Sequence, residues 1–159
     1  DWDSSEPPEA PSEVEVQLDQ AAFILYTPLS TGAPKAVVIH HRGACNRLLW
    51  MQHRLQMSSE DRMLQKNPLG SVIGIAEHLL PLMSGARVVI SEPLHLQDNA
   101  ELVKYMATEE VTIAAFAPTE LREFLETPQL ESCSRLQAVI SGAETLTIDQ
   151  AATSKTRAA

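Results

Sequence analysis

Residues 22–37 read AFILYTPLSTGAPKAV. An apolar run, Ala22 to Tyr26, stops at Thr27, and a second one begins at Val37. Between them lie Pro28, Leu29, Ser30, Thr31, Gly32, Ala33, Pro34 and Lys35. The pattern predicts a strand, a hydroxyl-rich turn carrying one lysine, and a second strand over Val37–His41. Such a turn can hold phosphate oxygens with backbone N–H groups, two hydroxyls and an ammonium. An ordinary hairpin turn with a solvated lysine has the same composition. Neither G-x-x-x-x-G-K-[ST] nor G-x-G-x-x-G occurs in it.

Working outward, the stretch before it is acidic and rich in proline. Residues 1–20 hold seven acids (Asp1, Asp3, Glu6, Glu9, Glu13, Glu15, Asp19) and no base, so the rest of the chain carries −2 of the total −9. This composition predicts an extended linker over 1–20. A chain of 159 residues can bury one real core, and with 44% hydrophobic but only 4% aromatic residues that core is aliphatic. The negative charge argues against nucleic acid or an anionic membrane surface as partner. No apolar run reaches the length of a membrane span, and a cytoplasmic setting is expected. Cys45 and Cys133 sit in apolar helical patterns and read as buried free thiols.

After the second strand the apolar spacing alternates between helical and extended. Helices are expected over Gly43–Met57, with Ala44, Cys45, Leu48, Leu49, Gln52 and Leu55 on one face, and over Val72–Met83 despite Gly74 and Pro81. Asp98-x-x-Glu101 opens a third helix through Thr108, burying Leu102, Val103, Met106 and Ala107. Pro118 starts a fourth, carrying Leu121, Phe124 and Leu125. Strands are expected at Arg62–Lys66, Arg87–Ser91, Val111–Phe116 and Leu136–Ile140, and a last helix near Thr147. Alternating strands and helices give an α/β fold, a mostly parallel sheet flanked by helices on both faces. The five histidines show no metal-ligand spacing. No G-x-S-x-G elbow is present, and Ser141 before Gly142 has no obvious catalytic partner. Glu120 and Glu144 read as helix-start and turn carboxylates.

The central stretch resembles the phosphate loop of adenylation domains of nonribosomal peptide synthetases, members of the adenylate-forming, AMP-binding superfamily. Ala22, Tyr26, Thr27, Ser30, Thr31, Gly32, Pro34 and Lys35 match that loop; Pro28, Leu29 and Ala36 replace a serine and two glycines. Arg42–Gly43 and Trp50–Met51–Gln52 match the helix that follows, and Pro68, Glu77, Pro81, Leu82, Ser84, Gly85 and Ala86 match a later motif. The resemblance implies a partial N-terminal subdomain of the adenylate-forming fold over 21–152, with a frayed tail over 153–159. It implies a phosphate loop of Thr27, Ser30, Thr31, Gly32 and Lys35, here vestigial, because Pro28 offers no N–H and Leu29 resists the φ > 0 that glycine accepts. It places a substrate pocket at Val72, Ile73 and Ala76, also altered: Val72 stands where the family has the aspartate that holds an α-ammonium, Gly74 where it has a serine, and Ala76 where it has a tryptophan. The tyrosine-glycine-proline-threonine-glutamate motif, the ribose-binding aspartate and the small subdomain with its catalytic lysine lie beyond this stretch.

The expectation is therefore a catalytically silent, truncated adenylation-like domain acting as spacer or docking element in a peptide or hybrid peptide–polyketide synthetase, with no cofactor. Its partners would be neighbouring synthetase domains, or a second copy of itself. The alternative is part of a split or longer adenylate-forming enzyme that uses ATP and Mg to activate a carboxylic acid without an amine.

Overall fold

The computed structural model describes residues 15–27, 34–96 and 98–142. Two apolar runs make strands β1 (Ala21–Thr27) and β2 (Lys35–His40), which pair antiparallel in register from Phe23 opposite Ile39 to Thr27 opposite Lys35. The hairpin is a separate two-stranded sheet. Its pleat puts Phe23 and Ile39 on the side that meets the helices, while Ile24 and Tyr26, with Val38 opposite Ile24, point to solvent.

Helix α1 (His41–Leu55) follows β2 without a loop, two residues earlier than the spacing predicts. No side chain caps it. Instead the backbone turn before β1 supplies acceptors: His41 N–H donates to Gln20 O at 3.0 Å and Arg42 N–H to Leu18 O at 2.9 Å. The Arg42 guanidinium pairs with Asp19 at 3.0 Å. These bonds satisfy helix-start donors that otherwise have no partner.

The remaining strands, β3 (Arg62–Gln65), β4 (Arg87–Ile90), β5 (Ile113–Phe116) and β6 (Ala138–Ser141), form one parallel sheet in the order β4-β3-β5-β6. Between them run α2 (Val72–Met83), α3 (Asn99–Thr108) and α4 (Pro118–Leu125). Alternate strand residues face opposite ways. Met63 and Ile113 pack with Leu48, Met51, Ala76 and Leu80 of α1 and α2. Leu64, Val89, Ala114 and Phe116 pack with Leu102, Met106, Leu121 and Phe124 of α3 and α4, and the Phe116 and Phe124 rings stack at 4.5 Å. The expected α/β fold, a parallel sheet covered on both faces, is the one observed.

Some expectations need correction. Cys45 is exposed and only Cys133 is buried. The inner face of α1 is Leu48 and Met51; Leu49 is exposed. The face is set by which turn of α1 meets α2, and periodicity alone left its phase free by about one residue. Strands β3, β5 and β6 are shorter than, or shifted from, their apolar runs. Val111 and Thr112 are buried just before β5 begins; Thr112 N–H donates to Arg62 O and its carbonyl accepts from Gln137 N–H, both at 2.8 Å, while its hydroxyl accepts from Arg62 N–H and donates to Asp61. Short 3₁₀ turns at Pro93–Leu96 and Leu130–Ser132 have no periodic signature. The helix expected near Thr147 and the tail over 153–159 lie outside the described residues.

Gly74 keeps α2 in place. A Cβ there would stand 2.1 Å from Pro68 O, and Ser71, the N-cap, accepts from Gly74 N–H at 3.0 Å. Helix propensity alone would favour alanine by about 1 kcal/mol, but the clash is with backbone that cannot rotate away. Gly74→Ala is expected to destabilise the domain by about 2–3 kcal/mol. Gly43→Ala, where nothing lies within 4 Å, should be neutral or stabilising by up to about 1 kcal/mol. Urea denaturation of the two variants checks the contrast; equal effects would refute the close-approach argument.

Candidate functional site

In the sheet order, β4 lies on one side of β3 and the later β5 on the other. The winding reverses between β3 and β5, and in open α/β sheets ligands bind outside the carboxyl ends of strands at such a reversal. The residues immediately past β3 are Lys66 and Asn67, and those past β5 are Ala117 and Pro118.

A polar network occupies this end. Glu77, on α2, is fully buried. Its Oε2 accepts from Asn67 N–H at 2.8 Å and Lys66 N–H at 3.2 Å, and its Oε1 from Asn67 Nδ2 at 2.6 Å. Burial pushes the Glu77 carboxyl above its usual range, opposed by the hydrogen bonds from Asn67 and Lys66 and by the Lys66 charge. The Lys66 side chain is 8% exposed, with Nζ 2.8 Å from Glu120 Oε2 and 4.9 Å above the Phe116 ring centre. Ala117 N–H donates to the same Glu120 oxygen at 3.1 Å. Partial burial alone would raise the Glu120 carboxyl, but the Lys66 and Ala117 hydrogen bonds and the Lys66 charge outweigh it and hold it below its ordinary value. Glu120 is thus a helix-start carboxylate, as its position in the sequence suggests, and also the partner of a buried lysine 54 residues away.

Beside this network, on the α1 and α2 side of the sheet, lies a cavity of ≈ 80 Å³. Ile73, Ala76 and Glu77 of α2, Arg47 and Met51 of α1, and Ala115, Ile140, Ser141 and Gly142 at the ends of β5 and β6 line it. Ser141 Oγ is buried and has no hydrogen-bond partner among the described residues. A second, almost wholly apolar cavity of ≈ 70 Å³ lies between the hairpin, α1 and α2, lined by Phe23, Ile39, Ala44, Leu48, Val72 and Ile75 among others. Arg47 and Ala76 border both cavities.

Of the three positions that the resemblance assigns to a substrate pocket, Ile73 and Ala76 line the first cavity, while Val72 is 43% exposed and lines the second. Thr27 and Lys35 form the last pair of the hairpin, with Thr27 Oγ1 donating to Lys35 O at 3.3 Å. Ser30, Thr31 and Gly32 lie outside the described residues. The sequence reading did not single out Arg47, Asn67 or Lys66. The signal available was position: Lys66 and Asn67 directly follow the strand at which the winding reverses. Among the described residues there is no group of three or more His, Cys, Asp or Glu arranged to hold a metal ion. Nor is any helix among them long and apolar enough to cross a membrane.

Comparison with known proteins bears on this geometry. The family model described as "AMP-binding enzyme" matches residues 1–157. Tyrocidine synthase 3 of Brevibacillus parabrevis is 35% identical over 129 residues, covering 81% of this chain and 2% of the synthase. Enterobactin synthase component F of Escherichia coli is 35% identical over 141 residues, covering 84% of this chain and 11% of that protein. The chain therefore spans only a small part of the length of these relatives. Among solved structures, the nonribosomal peptide synthetase FmoA3 superposes with a TM-score of 0.75 at 26% identity, over 91% of this chain and 16% of that one. The N-terminal domain of FACL13 from Mycobacterium tuberculosis superposes with a TM-score of 0.79 at 21% identity, over 96% of this chain and 38% of that one, which shows a shared fold. A family match over nearly the whole chain, synthetase relatives and a common fold converge: the chain belongs to the AMP-binding enzyme family and corresponds to part of a nonribosomal peptide synthetase adenylation domain.

Proposed function

We propose that this chain is a scaffolding and docking element within a nonribosomal peptide or hybrid synthetase, working in the cytoplasm, and that it forms no acyl adenylate by itself. The observation that carries this reading is the outer face of the hairpin. Ile24, Tyr26 and Val38 stand together on a two-stranded sheet with 58%, 66% and 48% of their surface in water. Two-stranded hairpins are marginal alone, and apolar clusters of this kind on a surface mark contact sites. Neighbouring synthetase domains are the natural cover, with a second copy of the chain as the other candidate. The net charge of −9 disfavours nucleic acid.

The absence of adenylation follows from the donor set. Pro28 has no N–H, and Leu29 places a side chain where backbone would have to approach a phosphate. Thr27, Ser30, Thr31, Gly32 and Lys35 alone would make an incomplete cradle for ATP. Adenylation needs nucleotide and carboxylate held in line with the phosphate charge neutralised.

A second reading is supported by the cavity bordered by Ser141: part of a longer adenylate-forming enzyme that takes a carboxylic acid without an amine, together with ATP and Mg. Val72, Ile73 and Ala76 present no acid to an ammonium, and a buried unpaired ammonium is costly.

Two measurements test the first reading. Pyrophosphate exchange by the chain with amino, aryl and keto acids is expected at background; clear exchange with any one acid would show that the loop works as it stands. In a synthetase carrying this domain, Ile24→Thr with Val38→Thr keeps strand propensity while removing apolar surface. Product yield is expected to fall several-fold with the domain's own melting temperature little changed. Unchanged yield would sink the docking role.

A further inference from the structure

We infer that the outer face of α1 is a docking surface for this chain's own acidic, proline-rich segment, residues 1–14. The inference goes beyond the role read from the hairpin and concerns a different face. Three observations carry it: the make-up of the face, the make-up of the segment, and the contacts that already join the two.

Helix α1 turns Leu48 and Met51 inward. Away from them Arg42, Arg47, Leu49, Trp50, His53 and Arg54 are all exposed. Leu49 and Trp50 leave 56% and 62% of their surface in water. Helical spacing lines Leu49 and His53 up with Arg42, and sets Trp50 between Arg47 and Arg54. The helix carries three arginines and no acid. Arg47 and Arg54 make no ion pair among the described residues. An exposed aromatic flanked by two such cations suits an occupant that is acidic and apolar by turns.

Residues 1–14 read DWDSSEPPEAPSEV, with five acids, three prolines and no base. Carboxylates match arginine forks, and complementary charge favours this segment over the cationic parts of the chain. Proline fixes φ, so a proline-rich segment has little backbone entropy to lose on docking, and its rings suit an aromatic surface.

The acid–arginine pairing already begins at one end of the face. Asp19 pairs with Arg42 at 3.0 Å, and the carbonyls of Leu18 and Gln20 accept from the first N–H groups of α1. The segment is therefore tethered beside the surface, which acts like a concentration of about millimolar. At ~3.1 Å per extended residue its 14 residues span roughly 43 Å, against about 22 Å for the 15 residues of α1 at ~1.5 Å each. Single exposed ion pairs are weak, so docking depends on several of them together with the tether and the Trp50 contact, and it is sensitive to salt.

The test is paramagnetic broadening in the full chain. A nitroxide is placed on Cys45, which is exposed one turn before Leu49, while Cys133 is buried. At low salt the amide signals of residues 2–10 are expected to broaden several-fold, and to recover at about 1 M salt, where the screening length falls to ~3 Å. Replacing the five acids by Asn or Gln should abolish the broadening, and Trp50→Ala should weaken it, both at an unchanged melting temperature. Broadening confined to the residues next to Glu15 is what an undocked tether gives, and it overturns the inference. So does broadening that survives neutralisation of the acids. Broadening between spin-labelled and isotope-labelled copies in a mixture assigns the face to a second copy and overturns it as well.

Discussion

Glu77 holds the carboxyl end of the central strand against the helix that follows it. Its carboxylate gathers the backbone N–H groups of Lys66 and Asn67, which no strand partner could satisfy, since both lie just past β3. The Asn67 side chain closes the set. Removing the carboxylate would take the acceptor from three part-buried donors at once, and those three bonds are what make a buried acid tolerable here. The same turn brings Pro68 against Gly74, so the path from β3 into α2 has little freedom. Everything bordering the larger cavity from the α2 side, Ile73, Ala76 and Glu77 itself, takes its position from this fixed entry.

The hairpin is organised differently. It joins the body through α1, whose first N–H groups are satisfied by carbonyls of the turn before β1. Phe23 and Ile39 reach the apolar cavity, but the outer face finds no cover among the described residues. A sheet of four strands with helices on both faces is self-sufficient; a two-stranded ribbon attached at one end is not. The described part of the molecule thus has one sheet covered on both faces and one hairpin whose outer face stays open among the described residues.

The sequence made the first region legible and the details of the second less so. The short continuous apolar run Val111–Phe116, bounded by polar residues and Pro118, fits a strand buried on both faces, and capping or proline residues mark the starts of α3 and α4. Asp98 caps α3 through Ala100 N–H, as its spacing with Glu101 suggests. What periodicity could not supply was phase and partnership. Cys45 and Leu49 lie close to the inner face of α1 on a helical wheel, yet α2 meets the neighbouring turn, at Leu48 and Met51. Lys66 and Glu120 are 54 residues apart. Nothing local announces that they meet; sheet order does, because β3 and β5 are neighbours. Of the residues that carried the first resemblance, Ala22, Tyr26, Thr27 and Lys35 belong to the hairpin strands, while Ser30, Thr31 and Gly32 lie outside the described residues.

The departures from the family pattern fall on one side of a physical divide. Strand alternation, the Gly74 approach and the Glu77 cluster set the energy of the fold, and all are intact. Pro28, Leu29 and Val72 sit where the pattern would have groups facing a ligand. Val72 contributes little to burial: it is 43% exposed and belongs to neither core cluster. A change there can cost almost no stability while removing an N–H or a carboxylate that recognition needs, because binding groups are presented by a scaffold rather than packed into it. The reverse does not hold, since a substitution at Gly74 or Glu77 would disturb the fold and the cavity wall together. A fold of this kind therefore tolerates change at the positions that present binding groups more readily than at those that pack its core.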